Sequence, residues 1–278
     1  MSYQNGLSAL HLEMPDKIPR TEYSAEFHWE LIQKVTGIPV SSHSLPAVQS
    51  QASREFVRAW DYGFYWHTIP ACRQLGDMRT NMGHASYRQH GVDFSAGTDQ
   101  RLFWEFMKRY TAWNLQYFEA LAQCSSPVVM VHDDLVWTSG AFLAPEFYRT
   151  FLFPCLKQLI RPLLDCGKRV LFTSDGNYTQ FAADIAACGI HGFVLEPCTD
   201  LACLCEVYGQ THVIVGNVDT RVLLLGQKAD IEAEVKRCIS LGKSCPGYFM
   251  AVGNHIPPNT PVDNCLYYNA FYDAYSRR

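Results

Sequence analysis

The stretch "KRVLFTSDGN" (168–177) places an apolar run directly before Ser174, Asp175 and Gly176. The same arrangement recurs at "VIVGNVDT" (213–220) and at "FMAVGNHIPP" (249–258). A turn after a strand explains the glycine in each case, but it does not require Asp, Asn or His beside it. We therefore interpret these strand ends as places where ligand-type side chains are gathered.

Five strand–helix units follow one another in the second half of the chain. Predicted strands cover 127–135, 169–175, 192–197, 212–219 and 247–256, and predicted helices cover 145–166, 178–188, 199–208, 229–241 and the stretch from 263. The strands are short and almost purely apolar, which indicates a parallel sheet with both faces covered by helices. A closed (β/α)8 barrel and an open doubly wound sheet both satisfy this pattern. No Gly-x-Gly-x-x-Gly follows a strand, which argues against a dinucleotide site.

Both architectures bind their ligands at the carboxyl ends of the parallel strands. In this sequence those ends carry His132, Asp133, Asp134, Ser174, Asp175, Asn177, Glu196, Asn217, Asp219, Asn254 and His255. Such groups can bind metal ions or move protons, so we expect the functional site on this face.

Composition limits the classes of function. The chain has 278 residues, a net charge of −4 and no basic stripe, which argues against nucleic-acid binding. It has 11 cysteines, an odd number, and no signal peptide, so we expect reduced thiols in the cytoplasm of a low-oxygen cell. No apolar run approaches the roughly 18 residues of a membrane span. A soluble protein is expected.

The first half is less regular. We expect a lead-in over 1–55, with a helix at 25–35 closed by Gly37 and a polar connector at 41–53. An aromatic strand is predicted at 62–70, and 71–98 has no assignment. Apolar residues on one face predict a helix at 99–123.

Several stretches together resemble the uroporphyrinogen decarboxylase superfamily, which includes the corrinoid-dependent methyltransferases. They are "DDLVWTSGAFLAPEFYRTFLFPCLKQLI", "FTSDGN", "VIVGNVDTRVLLLGQKADIEAEVKRCI" and "GYFMAVGNHIPPNTPVDN", within 127–264, with "PDKIPRTEY" similar to the family's start. The resemblance implies a single TIM-type (β/α)8 barrel domain over 1–278, with its site at the strand ends.

The decarboxylase branch is the alternative. Its members carry an Arg-rich "RQAGRYLPE"-like segment that holds substrate carboxylates, and a tetrapyrrole polyanion needs several cations around it. Here the arginines of the corresponding region, Arg54, Arg58, Arg73 and Arg79, are scattered.

The methyltransferase branch moves a methyl group between a small methylated compound and the cobalt of a corrinoid protein. Its thiol-methylating members resemble this chain but bind zinc through His-x-Cys-Gly and a later Cys. Thr173, Asp175 and Asn254 or His255 stand at those positions here. Oxygen and imidazole ligands leave a harder ion than thiolates do, which suits polarising an ether oxygen. This resembles the O-demethylase members, and it implies a methoxylated substrate and a zinc ion.

Those members have an acidic–acidic–His ligand pattern, and Asp219, Glu234 and His255 match it with 14 and 20 residues between them. Glu234 lies in a predicted helix and is also explained as a surface carboxylate. Asp219 is equally explained as the N-cap of the next helix. Glu196 or Asp175 could complete a ligand set with Asp219 and His255.

These observations and the resemblance together predict roles for nine residues. The predicted catalytic residues are His255, Asp134 and Glu196; the predicted substrate-binding residues are Asp133, Asp175, Asn177 and Asn217; the predicted metal ligands are Asp219, His255 and Glu196, with Glu234 added by spacing. The cysteines at 198, 203 and 205 are interpreted as structural thiols.

The chain is shorter than the family usually is, and the deficit falls between "GVDFSAG" and "VVMVHDDL". A barrel lacking one strand–helix unit would have a wider mouth, which suits docking of a corrinoid protein. It would equally suit a non-catalytic paralogue that binds such a protein. The sequence leaves a homodimer open.

Overall fold

A computed structural model describes residues 2–23, 25, 27–66 and 100–278. The helices are α1 (Ser2–Leu10), α2 (Trp29–Thr36), α3 (Pro46–Ala59), α4 (Gln100–Ala122), α5 (Phe153–Asp165), α6 (Ala182–Ala187), α7 (Leu201–Tyr208), α8 (Thr220–Leu225), α9 (Lys228–Gly242) and α10 (Val262–Tyr275). A helical turn at Pro145–Phe147 and a π-helix at Tyr148–Leu152 lead into α5, and a 3₁₀ turn at Thr179–Phe181 leads into α6. The strands are β1 (Val128–His132), β2 (Val136–Trp137), β3 (Gly140–Ala141), β4 (Arg169–Thr173), β5 (Gly192–Val194), β6 (Val213–Val215) and β7 (Tyr248–Phe249).

The main sheet is parallel throughout, in the order β1-β4-β5-β6-β7, and β2 and β3 form a small antiparallel pair beside it. Its strands are buried because helices cover one side and the interior apolar cluster fills the other. This is the predicted α/β fold, in which chain order equals strand order, as in a TIM-type barrel.

The sheet continues beyond β7 through the amino-terminal lead-in. Arg20 forms parallel bridges with Met250 on one side and with Tyr62 on the other. Within the described residues, the five strands and the segments at Arg20 and Tyr62 therefore lie side by side as seven neighbouring segments. The predicted loss of one strand–helix unit stays a prediction, because 67–99 lie outside that part of the chain. These residues include 67–70 of the predicted strand at 62–70 and the unassigned stretch 71–98.

Two predictions for the lead-in differ from the structure. The polar connector expected at 41–53 is helical from Pro46, since α3 buries Ala52 and Phe56 against α2 although its sequence has no broad apolar stripe. The helix expected at 25–35 begins at Trp29, where the His28 imidazole accepts a hydrogen bond from the Leu31 N–H. It ends at Gly37, as predicted, in the left-handed conformation.

Candidate functional site

The register of the sheet brings the strand ends to one level. His132 at the end of β1 lies opposite Thr173 at the end of β4, and Thr173 lies opposite Val194 of β5. The backbone N–H of Asp133 continues this pairing with the Thr173 carbonyl at 3.1 Å. Residues that directly follow the strands therefore meet on one face, as the sequence predicts.

At this face His132, Asp134 and Asp175 form a compact group. The Nε2 atom of His132 lies 2.9 Å from Oδ1 of Asp134 and 3.8 Å from Oδ1 of Asp175. The possible ligand atoms of the three side chains all lie within 4.8 Å of one another. His132 is half-buried, whereas both carboxylates are exposed. The group is thus open on one side to an incoming ion or substrate.

Tyr23 completes this group from the amino-terminal lead-in. Its hydroxyl lies 3.1 Å from Nδ1 of His132, and its ring centroid lies 5.0 Å from that of His255. The sequence analysis missed Tyr23, because 109 residues separate it from its partner along the chain. The motif "PRTEY" was noted only as a family-like start.

The segment before Tyr23 is fixed by a buried ion pair. Arg20 and Glu22 have fully buried side chains, and the Arg20 Nη2 atom lies 2.6 Å from the Glu22 Oε1 atom. Glu22 also accepts hydrogen bonds from the Val252 N–H at 2.8 Å and the Tyr268 hydroxyl at 3.1 Å. The Arg20 guanidinium lies 4.4 Å from the Trp60 ring centroid. These contacts join the lead-in to the stretch after β7.

Glu196 joins the ends of three strands. Its Oε2 atom accepts the Gly176 N–H at 2.9 Å, and its Oε1 atom accepts a hydrogen bond from the Asn254 amide. The Cys198 thiol lies 3.9 Å from Oε2. Burial and the neighbouring Glu196 raise the pKa of Cys198 above that of an ordinary thiol, so this cysteine stays protonated.

Burial and neighbouring carboxylates raise the pKa values of Asp175 and Asp133. For Asp175, partial burial raises the pKa first, and Glu196 and Asp134 raise it further. For Asp133, desolvation followed by the charge of Asp134 raises the pKa to about 6. The Asp133 side chain remains accessible to water. A carboxyl group with such a pKa can hold or release a proton near neutral pH.

The predicted ligands Asp219 and Glu234 are engaged with arginines. Asp219 caps α8 by accepting the Arg221 N–H at 2.8 Å, and its two oxygens also pair with the Arg221 guanidinium. These bonds hold the pKa of Asp219 below its ordinary value. Glu234 accepts the Asp219 N–H at 2.9 Å and pairs with Arg237 at 2.7 Å.

The two predicted asparagines of the substrate site make internal hydrogen bonds. Asn217 is fully buried, and its amide N–H groups bond the carbonyls of Glu196 at 3.1 Å and Thr199 at 2.9 Å. Asn177 is half-buried and accepts the Thr179 N–H at 3.1 Å. Both therefore support the loops that carry the acidic residues. Their assignment as substrate-binding residues stays a prediction.

A metal ion fits one group of the described residues better than the predicted set. His132, Asp134 and Asp175 offer one nitrogen and two carboxylate ligands, the kinds of ligand that catalytic zinc takes. Within the described chain, Asp219, Glu196 and His255 are not gathered into a comparable group. His255 is exposed beside Tyr23, and its backbone N–H bonds the Asn254 side chain at 2.7 Å.

Comparison with known protein families agrees with the fold. The family model described as uroporphyrinogen decarboxylase (URO-D) matches residues 95–275. Because this match covers more than half of the chain, the protein belongs to the uroporphyrinogen decarboxylase family.

The curated relatives are distant. Uroporphyrinogen decarboxylase from Syntrophotalea carbinolica is 27% identical over 161 residues, which make up 58% of this chain and 45% of the relative. The Thermus thermophilus enzyme of the same name is 28% identical over 169 residues, or 61% of this chain and 48% of the relative. The chain thus spans about half the length of the curated relatives it matches.

Among solved structures, a methyltransferase from Methanosarcina mazei superposes with a TM-score of 0.63 at 19% sequence identity. The superposition covers 98% of both chains. At this identity the likeness concerns the fold.

Among the described residues, no helix is both long enough and apolar enough to span a bilayer.

Proposed function

We propose that this protein is a methyltransferase that moves a methyl group from a small methoxylated compound to the cobalt of a corrinoid protein. The observation that carries the proposal is the group of His132, Asp134 and Asp175 at the strand ends. It offers oxygen and nitrogen ligands without a thiolate, a set suited to a harder ion near an ether oxygen. The overall fold similarity to a methyltransferase from Methanosarcina mazei supports the same class of reaction.

In this proposal His132, Asp134 and Asp175 hold a zinc ion. When bound, zinc supplies Lewis acidity toward the ether oxygen of the substrate. The predicted set of Asp219, Glu196 and His255 is the competing assignment. We favour the first group because Arg221 already occupies both oxygens of Asp219, and removing that cation would cost a charge-assisted bidentate pair.

The chain's own residues handle the proton that the leaving oxygen requires. His255 lies at the same mouth as the group, beside the Tyr23 ring, and an imidazole can donate a proton near neutral pH. Asp133, whose pKa is raised to about 6, is a second proton carrier at the end of β1. Glu196 keeps the loop of Asp175 and Gly176 in place through its bond to the Gly176 N–H.

A decarboxylase is the second candidate, because both curated relatives described above carry that name. The charges of the described site disfavour it. Asp133, Asp134, Asp175 and Glu196 would repel a tetrapyrrole polyacid, and the nearby Arg221 is paired with Asp219. A non-catalytic protein that binds a corrinoid partner is the third candidate.

The proposed reaction can be measured directly. The purified chain is mixed under anaerobic conditions with a corrinoid protein reduced to cobalt(I) and a panel of methoxylated, methylamine and methylthio compounds. Methylcobalamin formation is followed by its absorption spectrum. Formation only with methoxylated compounds supports the proposal, and no transfer from any compound contradicts it.

His255→Ala provides the matched variant for this assay. We expect methyl transfer to fall by roughly a hundredfold, as for loss of an acid catalyst, with folding retained because His255 is exposed. His43→Ala, in the exposed loop before α3, is the control and should keep wild-type turnover. Conversion of uroporphyrinogen to coproporphyrinogen would instead favour the decarboxylase. Binding of the corrinoid protein without turnover would favour the non-catalytic alternative.

We further propose that residues 1–278 form a single domain with a lead-in over 1–55, and that the protein is cytoplasmic. All ten cysteines of the described residues are free thiols, which supports a reducing compartment.

A further inference from the structure

Tyr23 contacts two histidines, one that ends the first strand of the five-stranded sheet and one that follows the last strand. Its hydroxyl lies 3.1 Å from Nδ1 of His132, which ends β1. Its ring lies 5.0 Å from the ring of His255, which follows β7. Tyr23 itself is half-buried. It is therefore a cross-link between two sides of the site and not an element of the apolar core.

The backbone position of Tyr23 is set by the buried Arg20–Glu22 ion pair that precedes it. The preceding residue, Glu22, has its charge buried and compensated by Arg20, the Val252 N–H and the Tyr268 hydroxyl. Taking two charges out of water costs several kcal/mol per ion, and the attraction within the pair together with the added hydrogen bonds to Glu22 offsets this cost. No step of the proposed reaction uses this ion pair. Its effect is to fix the backbone immediately before Tyr23.

The hydrogen-bond partners of His132 then define which of its ring nitrogens carries the proton. An ionised Asp134 only accepts, so the short contact to Nε2 of His132 requires the proton on Nε2. Nδ1 of a neutral imidazole is then an acceptor, and the Tyr23 hydroxyl donates a hydrogen bond to it. If Nε2 binds a metal instead, the ring proton moves to Nδ1, and the same hydroxyl oxygen can accept it. A tyrosine suits both states, whereas a carboxylate or carbonyl oxygen suits only the second.

We infer that Tyr23 is the positioning residue of the site: its hydroxyl fixes the ring orientation of His132 and accommodates both tautomers, so that Nε2 always faces Asp134 and Asp175. The metal part of this inference rests on the proposed function, but the tautomer part does not. Groups that hold the far nitrogen of a metal-binding histidine typically change metal affinity by about 10–100-fold.

The first test reads the tautomer by NMR. In metal-free, ¹⁵N-labelled protein at pH 8, two-bond ¹H–¹⁵N correlations should show His132 protonated on Nε2. In Tyr23→Phe the Nδ1 resonance should move downfield, because that nitrogen loses its hydrogen-bond donor. His132→Gln identifies the signal. A wild-type ring protonated on Nδ1, or an unchanged Nδ1 shift in Tyr23→Phe, would overturn the inference.

The second test measures zinc affinity by competition calorimetry. Tyr23→Phe should bind Zn²⁺ about 10–100-fold more weakly than the wild type. Tyr275→Phe, an exposed tyrosine at the end of α10, is the matched control and should bind as the wild type does. Equal affinity of Tyr23→Phe and wild type would refute the positioning role. If no form binds zinc, the metal of the proposed function is wrong, and the NMR result alone decides the role of Tyr23.

Discussion

The side chain of Asp134 accepts a hydrogen bond from the backbone N–H of Asp175 at 3.2 Å. This bond joins the ends of β1 and β4, the two strands that supply the proposed metal ligands. The Asp175 side chain is consequently held beside His132 through its own backbone, with its oxygens still open to solvent.

Asp175→Asn should remove a ligand without breaking this backbone bond. We expect zinc affinity at least about a hundredfold lower, since losing a ligand exceeds the effect of an outer contact, and methyl transfer should fall with it. Elemental analysis of the purified variant, with calorimetry, checks the result. Asp165→Asn, at the exposed end of α5, is the control. A variant with wild-type zinc content would exclude Asp175 as a ligand.

Alanine substitutions at two glycines with positive φ can distinguish the cost of backbone strain from the cost of steric overlap. A Cβ on Gly176, at φ +83°, would lie 2.5 Å from backbone atoms of Trp137, whereas a Cβ on Gly167, at φ +72°, meets nothing within 4 Å. Gly167→Ala should lower the free energy of unfolding by about 1 kcal/mol. Gly176→Ala should lower it by about 3 kcal/mol or more, because overpacking is added to strain. Urea denaturation measures the free energy of unfolding of both variants. Equal losses would show that the turn at Gly176 shifts to make room for the added methyl group.

Removing only one partner of the Arg20–Glu22 pair should destabilise the protein more than replacing both partners. Glu22→Ala leaves the Arg20 charge buried, and we expect a loss of about 3–5 kcal/mol in the free energy of unfolding. Asp165→Ala, which breaks the exposed pair with Arg161, should cost about 0.5 kcal/mol. The double variant Arg20→Met/Glu22→Leu should recover part of the loss. A Glu22→Ala protein as stable as Asp165→Ala would mean that the pair is solvated in solution.

Stability should fall in mild acid through His191. Its Nδ1 atom accepts the Val170 N–H at 3.1 Å, and burial, then Arg169 and His212, lower its pKa. A lowered histidine pKa means that the stabilising contribution is present above the unfolded-state pKa and is lost as pH falls through the folded-state pKa. We expect Tm to decrease between pH 7.5 and 5.

His191→Asn tests this assignment, because its side-chain oxygen can still accept the Val170 N–H but cannot titrate. Its Tm should decrease less than that of the wild type over the same pH range. The exposed His43→Asn should follow the wild type. Equal acid sensitivity in all three proteins would assign the loss to other groups, such as His212, whose pKa is also lowered by burial.

The sheet was predictable because its strands are apolar on both faces, a pattern visible in 169–173 and 213–215 without knowledge of their neighbours. The position of the site at the carboxyl ends of the strands was predictable from the parallel sheet as well. Helix α3 was not predictable, since only Ala52 and Phe56 are buried and polar residues interrupt its apolar ones, so that the sequence shows no continuous apolar stripe.

Side-chain partnerships were harder to predict than the strand ends. The cap role of Asp219 was one of two open alternatives, and Arg221 two residues later was the available signal for it. The pairing of Tyr23 with His132 left no local signal, because it depends on the lead-in lying next to β7. A residue-by-residue pattern cannot specify which distant segment adds to a sheet.

The parallel bridge between Arg20 and Met250 has a consequence for how the protein is made. These residues are separated by almost the whole chain, so the lead-in leaves the ribosome long before its neighbouring strand exists. Contacts of such large sequence separation slow folding, since loop-closure entropy is lost before they form. The Arg20–Glu22 charges must stay hydrated until β7 and α10 have been synthesised. Barrel assembly is therefore expected to wait for the synthesis of β7, with Tyr23 reaching His132 among the last native contacts.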